Sequence, residues 1–409
     1  MTSSIYILGG YQTDFARNYA REGLDIFDLL REGVEGALED ARVAPADVDV
    51  AHVGNFNGEL FSHQGHLGGL VASLHPDLRG VPASRHEAAC ASGSAAVLSA
   101  TAELEAGRYE LACVAGIELM RNVDGKTAAD YLGTAAWTGH ESVDATYLWP
   151  AMFDRIRAEY VERYGVASDV LWEIAAINFD HAKRNPRAQT RKWTFEAASF
   201  SADDEKNPRI EGEIRRQDCG QVTDGAAVVI LASPERAASW ARERNVPLES
   251  IPRIVGWGHR TSPMHLEEKL RATRGQPYVF PELRQTFEDA WKRAGLEGPH
   301  ALDCLEVHDC FSITEYAILD HLRFVPEGET ARPIQDRTIA QGGALPINPS
   351  GGLIGAGHPV GATGVRMLHD AARQVSGRAG DCQVAGARVA QTMNIGGPCS
   401  ALASFVVRA

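Results

Sequence analysis

Seven cysteines occur in this chain, and one of them stands where a sulfur could act as a nucleophile. Cys90 lies in His86-Glu-Ala-Ala-Cys90-Ala-Ser-Gly-Ser-Ala-Ala96, where an extended run, Val81 to Ala89, gives way to small residues and then to the helical pattern Val97, Leu98, Ala102, Leu104. A thiol at the first turn of a helix feels the partial positive charge of the helix N-terminus, which favours thiolate. A small buried cysteine in a tightly packed segment has the same local appearance, and the stretch alone leaves both readings open. Two later stretches share its character. His308-Asp-Cys310-Phe311 follows the strand pattern Leu302 to Val307 and precedes a helix from Ser312 to about Phe324, the position at which α/β proteins collect ligand-binding groups. Asn348 to Gly364 surrounds His358 with glycines at 351, 352, 355, 357, 361 and 364. Glycine loses more entropy on folding than other residues, so such a cluster implies left-handed backbone, close packing or a backbone set against a ligand. A dinucleotide-binding loop fits poorly, since the segment lacks Gly-x-Gly-x-x-Gly at its entry and carries a histidine and a proline.

Alternating elements must position these stretches. Ser4 to Gly9 reads as a strand. Ile26, Phe27, Leu30, Val34, Ala37, Leu38 and Ala41 have helical spacing, with Asp25 as a cap and Pro45 beyond the end. Strands at Val50 to Phe56 and Leu111 to Gly116 enclose a Gly-rich helix near Gly65 to Leu74 and the Cys90 segment. This alternation predicts an α/β fold with a mostly parallel sheet covered by helices on both faces. From 120 to 218 the pattern changes: four of the seven tryptophans fall there, and no strand is convincing. We read 1–119 as the first part of an N-terminal half, 120–218 as an inserted lobe, 219–250 as the return strand and helix of that half, and 251–409 as a C-terminal half. The second pass has a strand at Ile251, a helix from Pro281 stopped by Gly295, the Leu302 strand, a helix over Ala362 to Val375, and strands at Cys382 to Met393 and Ala401 to Val407. Within the inserted lobe, Lys183, Arg184, Arg187, Arg191 and Lys192 occur in ten residues without an acidic side chain. This run is a candidate phosphate-binding surface, and equally a solvated face.

Composition narrows the function. A formal charge of -14 disfavours nucleic acid as a partner while leaving room for a small anion at a local basic patch. No run of about eighteen apolar residues predicts a membrane span, and the chain opens on a strand pattern instead of a signal peptide, so an intracellular, cytoplasmic protein is expected. An odd number of cysteines without Cys-x-x-Cys spacing argues against a disulfide framework or a zinc site.

Taken in order and at these separations, Cys90-Ala-Ser-Gly-Ser-Ala, His308-Asp-Cys-Phe and Gly357-His-Pro-Val-Gly-Ala-Thr-Gly resemble the motifs of the thiolases, specifically the sterol-carrier-protein-type branch, across essentially the whole chain. The resemblance implies the thiolase fold, with two similar βαβαβαββ halves in five αβαβα layers and a loop domain inserted in the first half to hold coenzyme A. It also implies a homodimer or dimer of dimers. Carried over residue by residue, Cys90 is the acyl-accepting nucleophile and His358 the histidine that activates it. His308 lines a first oxyanion hole with His358, and the backbone amides of Cys90 and Gly396 form a second. Ordinary thiolases carry a second catalytic cysteine in a C-terminal Cys-x-Gly, whereas this chain has Asn394-Ile-Gly. In the sterol-carrier branch the cysteine of His-Asp-Cys-Phe supplies that acid/base function, which assigns it to Cys310.

These residue types suit cleavage of a 3-ketoacyl thioester, as in fatty acid β-oxidation, or the reverse Claisen condensation. A soft nucleophile attacks the ketone, donors hold the enolate oxygen, and a thiol protonates the departing carbanion. Coenzyme A and acyl-CoA are the expected small-molecule partners, with coenzyme A as a co-substrate and no permanently bound cofactor or metal. The alternatives are a decarboxylating ketoacyl synthase, a thiolase-fold aldolase working with an OB-fold partner protein, and a non-catalytic acyl-CoA or lipid-binding protein.

Overall fold

The computed structural model describes residues 4–142 and 144–409. Its strands are β1 (Ile5–Gln12), β2 (Val50–Gly54), β3 (Ala83–His86), β4 (Leu111–Glu118), β5 (Arg209–Glu211), β6 (Ile214–Arg215), β7 (Gly225–Ala232), β8 (Arg253–Thr261), β9 (Cys304–Val307), β10 (Val389–Gly396) and β11 (Ala401–Arg408). Nine of them run in the order β3-β2-β4-β7-β1-β8-β11-β10-β9, and β5 and β6 form a separate hairpin. Within the sheet the two halves join at β1 and β8, where Ile5 pairs with Ile254 and Tyr6 with Arg253.

Strand alternation sorts side chains into layers, because successive residues face opposite sides of a sheet. On one side of the N-terminal strands, Cys113, Ala115, Val228 and Ile230 pack with Leu30, Val34 and Ala37 of the helix Ile26–Ala41 and with Trp240. Their neighbours Val114, Val229 and Leu231 face the opposite way, onto Val97 and Ala100 of the helix Ser92–Glu105 and Val365 and Leu368 of the helix Thr363–Val375. Phe405 and Val407 of β11 cover those two helices from the far side. Leu402 and Val406 point outward to Phe287, Trp291 and Ile313 on the helices Pro281–Ala294 and Ser312–Leu322. Helix, sheet, helix, sheet, helix is the five-layered arrangement expected. The first half follows βαβαβαββ in full, whereas the third strand of the second half is reduced to a single bridge between Leu305 and Ile347.

Three expectations need correction. The large sheet is mixed: β3-β2, β2-β4 and β10-β9 are parallel, and its other pairs are antiparallel. A four-residue connection from β10 to β11 permits only an antiparallel pair, and β7 returns antiparallel to β4 after the long insertion. The insertion, which holds the helices Leu148–Tyr164 and Ser168–Ala182, also carries the β5-β6 hairpin, too short to show periodicity. The strand placed over Cys382 to Met393 begins only at Val389, because Gly380–Cys382 forms a 3-10 turn. Helix ends were better signalled. Asp25 accepts from the amides of Phe27 and Asp28 in a capping box, and Gly295 ends its helix with a φ of 64°.

The central layer holds one charged network. Arg366 is fully buried, and its Nη1 donates to Glu306 (2.7 Å), the Ser350 hydroxyl (2.7 Å) and Asp370 (3.1 Å). Removing the guanidinium strands a buried carboxylate, a loss of about 3–5 kcal/mol. Arg366→Ala should lower unfolding stability by that order in urea titration. A change under about 1 kcal/mol would mean that Glu306 does not need its partner.

Candidate active site

Cys90 is delivered by a turn between β3 and the helix Ser92–Glu105. It precedes Ala91, the N-cap residue, and so stands just outside the first turn where the sequence pattern put it. Ala89 adopts a left-handed φ of 50°, a conformation that costs a non-glycine residue about 1 kcal/mol. The Ser92 hydroxyl pins the turn by donating to the Ala89 carbonyl (2.6 Å) and accepting from the Ala88 amide (3.0 Å).

His308 follows β9, its amide bound to the Met393 carbonyl at 2.9 Å. The neighbouring Asp309 carboxylate accepts from the amides of Leu353 (2.6 Å) and Ile354 (3.1 Å) and from Asn178 (2.9 Å), which ties the His308 motif to the glycine-rich one. His358 is anchored by its amide to the Thr223 hydroxyl (2.9 Å) and by Nδ1 to the Thr363 hydroxyl (2.7 Å). Three stretches separated by up to 268 positions thereby converge: the sulfur of Cys90 and one ring nitrogen each of His308 and His358 all lie within 4.8 Å of one another. The two rings meet edge to face at 5.2 Å. Such a donor set also suits a soft divalent ion, and it is the one such cluster among the described residues.

The trio and Cys310 line a cavity of about 120 Å³ walled mainly by Phe56, Met120, Leu132, Trp149, Phe153 and Phe311. Trp149 and Phe153 come from the inserted segment, and Phe153 stacks on Phe311 at 4.4 Å. Apolar walls set the protonation states. Burial pushes the Cys90 thiol up to about 12, opposed by the amides of Gly397 and of Cys90 itself. Burial thus favours the thiol, against the thiolate that a helix end by itself would favour. Burial also raises Cys310, with the nearby Cys90 adding to the shift. It holds His308 well below the usual imidazole range and His358 at about 3. The resting site thus contains two neutral thiols and two neutral imidazoles.

Other assignments shift. The amide beside the Cys90 sulfur is that of Gly397, which lines the cavity, whereas Gly396 ends β10 with its α-carbon against the Ala88 carbonyl. Cys399 is buried among apolar side chains behind the site, in keeping with a structural role. None of Lys183, Arg184, Arg187, Arg191 and Lys192 lines the cavity. Most of them have other partners: Arg191 pairs with the distant Asp14 (2.8 Å), Arg184 (3.1 Å) and Lys183 (3.9 Å) pair with Asp180 one helical turn upstream, and Arg187 lies over the Tyr11 ring. Lys192 is exposed.

Two polar residues were overlooked. Glu118, fully buried at the end of β4, accepts from the amides of Phe56, Asn57 and Gly361 and from the Asn55 side chain, joining the wall of the cavity to the His358 loop. Asn394 contacts Ser94 (2.8 Å), Cys90 (3.2 Å) and His308 (3.1 Å). A signal for it existed. Met393 and Ile395 on either side join the outer core, so strand alternation turns Asn394 toward the site.

Fold and site together define a thiolase, and comparison with known proteins agrees. The family profiles "Thiolase, N-terminal domain" and "Thiolase C-terminal domain-like" match residues 5–235 and 267–409. The chain belongs to the thiolase family. It is 33% identical over 397 residues to an acetyl-CoA acetyltransferase of Methanothermobacter thermautotrophicus, covering 96% of each chain. To sterol carrier protein 2 of Gallus gallus it is 28% identical, covering 97% of this chain and 70% of the relative. Among solved structures it resembles an Ltp2-ChsH2(DUF35) aldolase with a TM-score of 0.78 at 22% identity, covering 100% of this chain and 98% of the other. Human mitochondrial 3-ketoacyl-CoA thiolase superposes with a TM-score of 0.70 at 17% identity, covering 100% and 99%. No helix among the described residues is long and apolar enough to cross a membrane.

Because the thiol must lose its proton before alkylation, the rate of Cys90 modification by iodoacetamide should climb about tenfold per pH unit from roughly pH 7 to pH 10. A plateau below about pH 9 would instead reveal a thiolate stabilised by the helix end.

Proposed function

We propose that this protein transfers acyl groups between coenzyme A thioesters through an acyl-enzyme on Cys90, cleaving 3-ketoacyl-CoA or running the reverse condensation. One observation carries the reading: a thiol and two neutral imidazoles within 4.8 Å, in a cavity that also holds a second thiol. His358 suits the base: the Thr363 hydroxyl lies 2.7 Å from its Nδ1 and 3.0 Å from the Pro359 carbonyl, and with the hydroxyl hydrogen on that carbonyl Nδ1 is the donor and Nε2 keeps a lone pair.

His358 takes the Cys90 proton as the sulfur attacks the ketone carbon, and the amides of Cys90 and Gly397 hold the resulting oxyanion. The Cα–Cβ bond breaks, the enolate oxygen of the departing acetyl-CoA accepts from His308, and Cys310 protonates its carbon. The Cys310 thiolate then takes the proton of an incoming coenzyme A thiol, whose sulfur attacks the acyl group. Cys90 leaves and recovers its proton from His358. A second thiol suits the closing step, because the proton of coenzyme A then passes from sulfur to sulfur, between groups of similar basicity. Both cysteines lining one cavity favour thiolysis over the aldolase alternative.

For the coenzyme A phosphates, we favour Lys192, exposed without an acidic partner among the described residues and three positions beyond Gln189. Gln189 donates to the carbonyl of Val222 (3.1 Å), itself part of the cavity wall. Lys192→Ala should raise the KM for coenzyme A severalfold with kcat unchanged; an unaltered KM removes the assignment.

The central test follows acetoacetyl-CoA thiolysis together with mass spectrometry of the intact protein. Given acetyl-CoA, Cys90→Ser should form no acyl adduct, whereas Cys310→Ala should acylate and then stall at the carbon–carbon step, losing about 10²–10⁴-fold in turnover. Normal turnover by Cys310→Ala with loss in Cys399→Ala would move the acid/base role to Cys399. Coenzyme A binding without any turnover in the unmodified protein would leave a binding protein in place of an enzyme.

A further inference from the structure

Asn394 stands where the resemblance to ordinary thiolases leads one to expect a second cysteine, and its surroundings give it a different task. Its Nδ2 lies 3.2 Å from the Cys90 carbonyl oxygen and 3.1 Å from Nδ1 of His308, and its Oδ1 lies 2.8 Å from the Ser94 hydroxyl. A peptide carbonyl has no proton to give, so the amide atom facing Cys90 must be the NH₂ group; the opposite orientation would set two carbonyl oxygens against each other. Ser94 then donates to Oδ1. The second hydrogen of the same NH₂ points at His308, whose Nδ1 must receive it with a lone pair. Asn394 is fully buried and His308 nearly so, which leaves little room for water to offer another arrangement.

We propose that Asn394 is a positioning residue that locks His308 in the tautomer protonated on Nε2. A neutral imidazole carries one proton, so a lone pair on Nδ1 requires the hydrogen on the other nitrogen. His358 is set the opposite way by Thr363 and Pro359, with its proton on Nδ1. The two histidines thus enter the reaction as one donor and one acceptor, before any substrate arrives. The division matches the two demands of the chemistry: attack by Cys90 needs an acceptor, and the enolate oxygen needs a donor. Both rings are buried without a carboxylate hydrogen-bonded to them, so their hydroxyl, amide and carbonyl neighbours are what distinguish them. A cysteine at position 394 would supply no such paired donor, and the acid/base duty is already met by Cys310.

The kinetic part of this inference rests on the proposed thiolase reaction; the tautomer itself does not, and the test separates the two. Long-range ¹⁵N–¹H spectra of histidine-labelled protein, with the signals assigned through His308→Gln and His358→Gln, should show His308 protonated on Nε2 and His358 on Nδ1. His308 protonated on Nδ1, or a mixture of both forms, overturns the proposal whatever the protein catalyses. Asn394→Asp replaces the donor with an acceptor and should move the His308 proton to Nδ1; Asn394→Ala, which adds no charge, should give a mixture. In kinetics both variants should acylate Cys90 from acetyl-CoA, a step that forms no enolate, within about threefold of the unmodified protein, while kcat of the carbon–carbon step falls about 10²–10³-fold for the aspartate and less for the alanine, the scale of losing one oxyanion donor. Equal slowing of acylation and carbon–carbon chemistry, with the His308 tautomer unchanged, would show that Asn394 serves packing alone.

Discussion

The close approach of two central helices at their N-termini is the constraint on which the rest of the structure depends. The helix Ser92–Glu105 brings Gly93 so near the Gly361 carbonyl that a β-carbon there would lie 2.6 Å from the oxygen. A few residues to either side hang Cys90 and His358. Only hydrogen at Gly93 permits this contact, so the glycine has a steric reason to stand there that a helix propensity scale would count against it. Because the two helices belong to different halves of the chain, their packing also sets how the halves face each other, which two strand pairs between β1 and β8 could not do alone.

Around that junction the protein spends buried polar groups on fixing backbone, leaving the reacting groups themselves neutral. Glu118 gathers three amides and one side chain; Asp309 gathers two amides and one side chain; Arg366 binds Glu306, Ser350 and Asp370. The two carboxylates have both oxygens occupied, as buried charge requires, whereas Arg366 makes all its bonds through Nη1 and leaves Nε and Nη2 without a partner among the described residues. The cavity has apolar walls and uncharged thiols and imidazoles. A site of this kind has no resting ion pair to break. In the reaction proposed above, charge develops only when Cys90 attacks, beside the amides of Cys90 and Gly397, so little reorganisation is needed to stabilise it.

The inserted segment has a separate part in the same design. It supplies Trp149 and Phe153 to the cavity, and its helix Ser168–Ala182 presents Asn178 to Asp309. The segment that walls the cavity is therefore hydrogen-bonded to the motif carrying His308 and Cys310.

Much of this could be read from residues alone, and for local reasons. Helix periodicity, the Asp25 cap and the Gly295 stop depend on neighbours a few positions away, and the thiolase motifs around Cys90, His308 and His358 are short, ordered and specific. What tertiary structure decided was everything that depends on burial and on partners distant in sequence. The Cys90 thiol is raised because apolar side chains from other elements surround it, overriding the helix end visible in its own segment. The basic run from Lys183 to Lys192 contains no acid, yet folding brings the distant Asp14 to Arg191. Asn394 looked like a missing cysteine; only the convergence of β10 with the Cys90 turn and the end of β9 turned it into the residue that faces both Cys90 and His308.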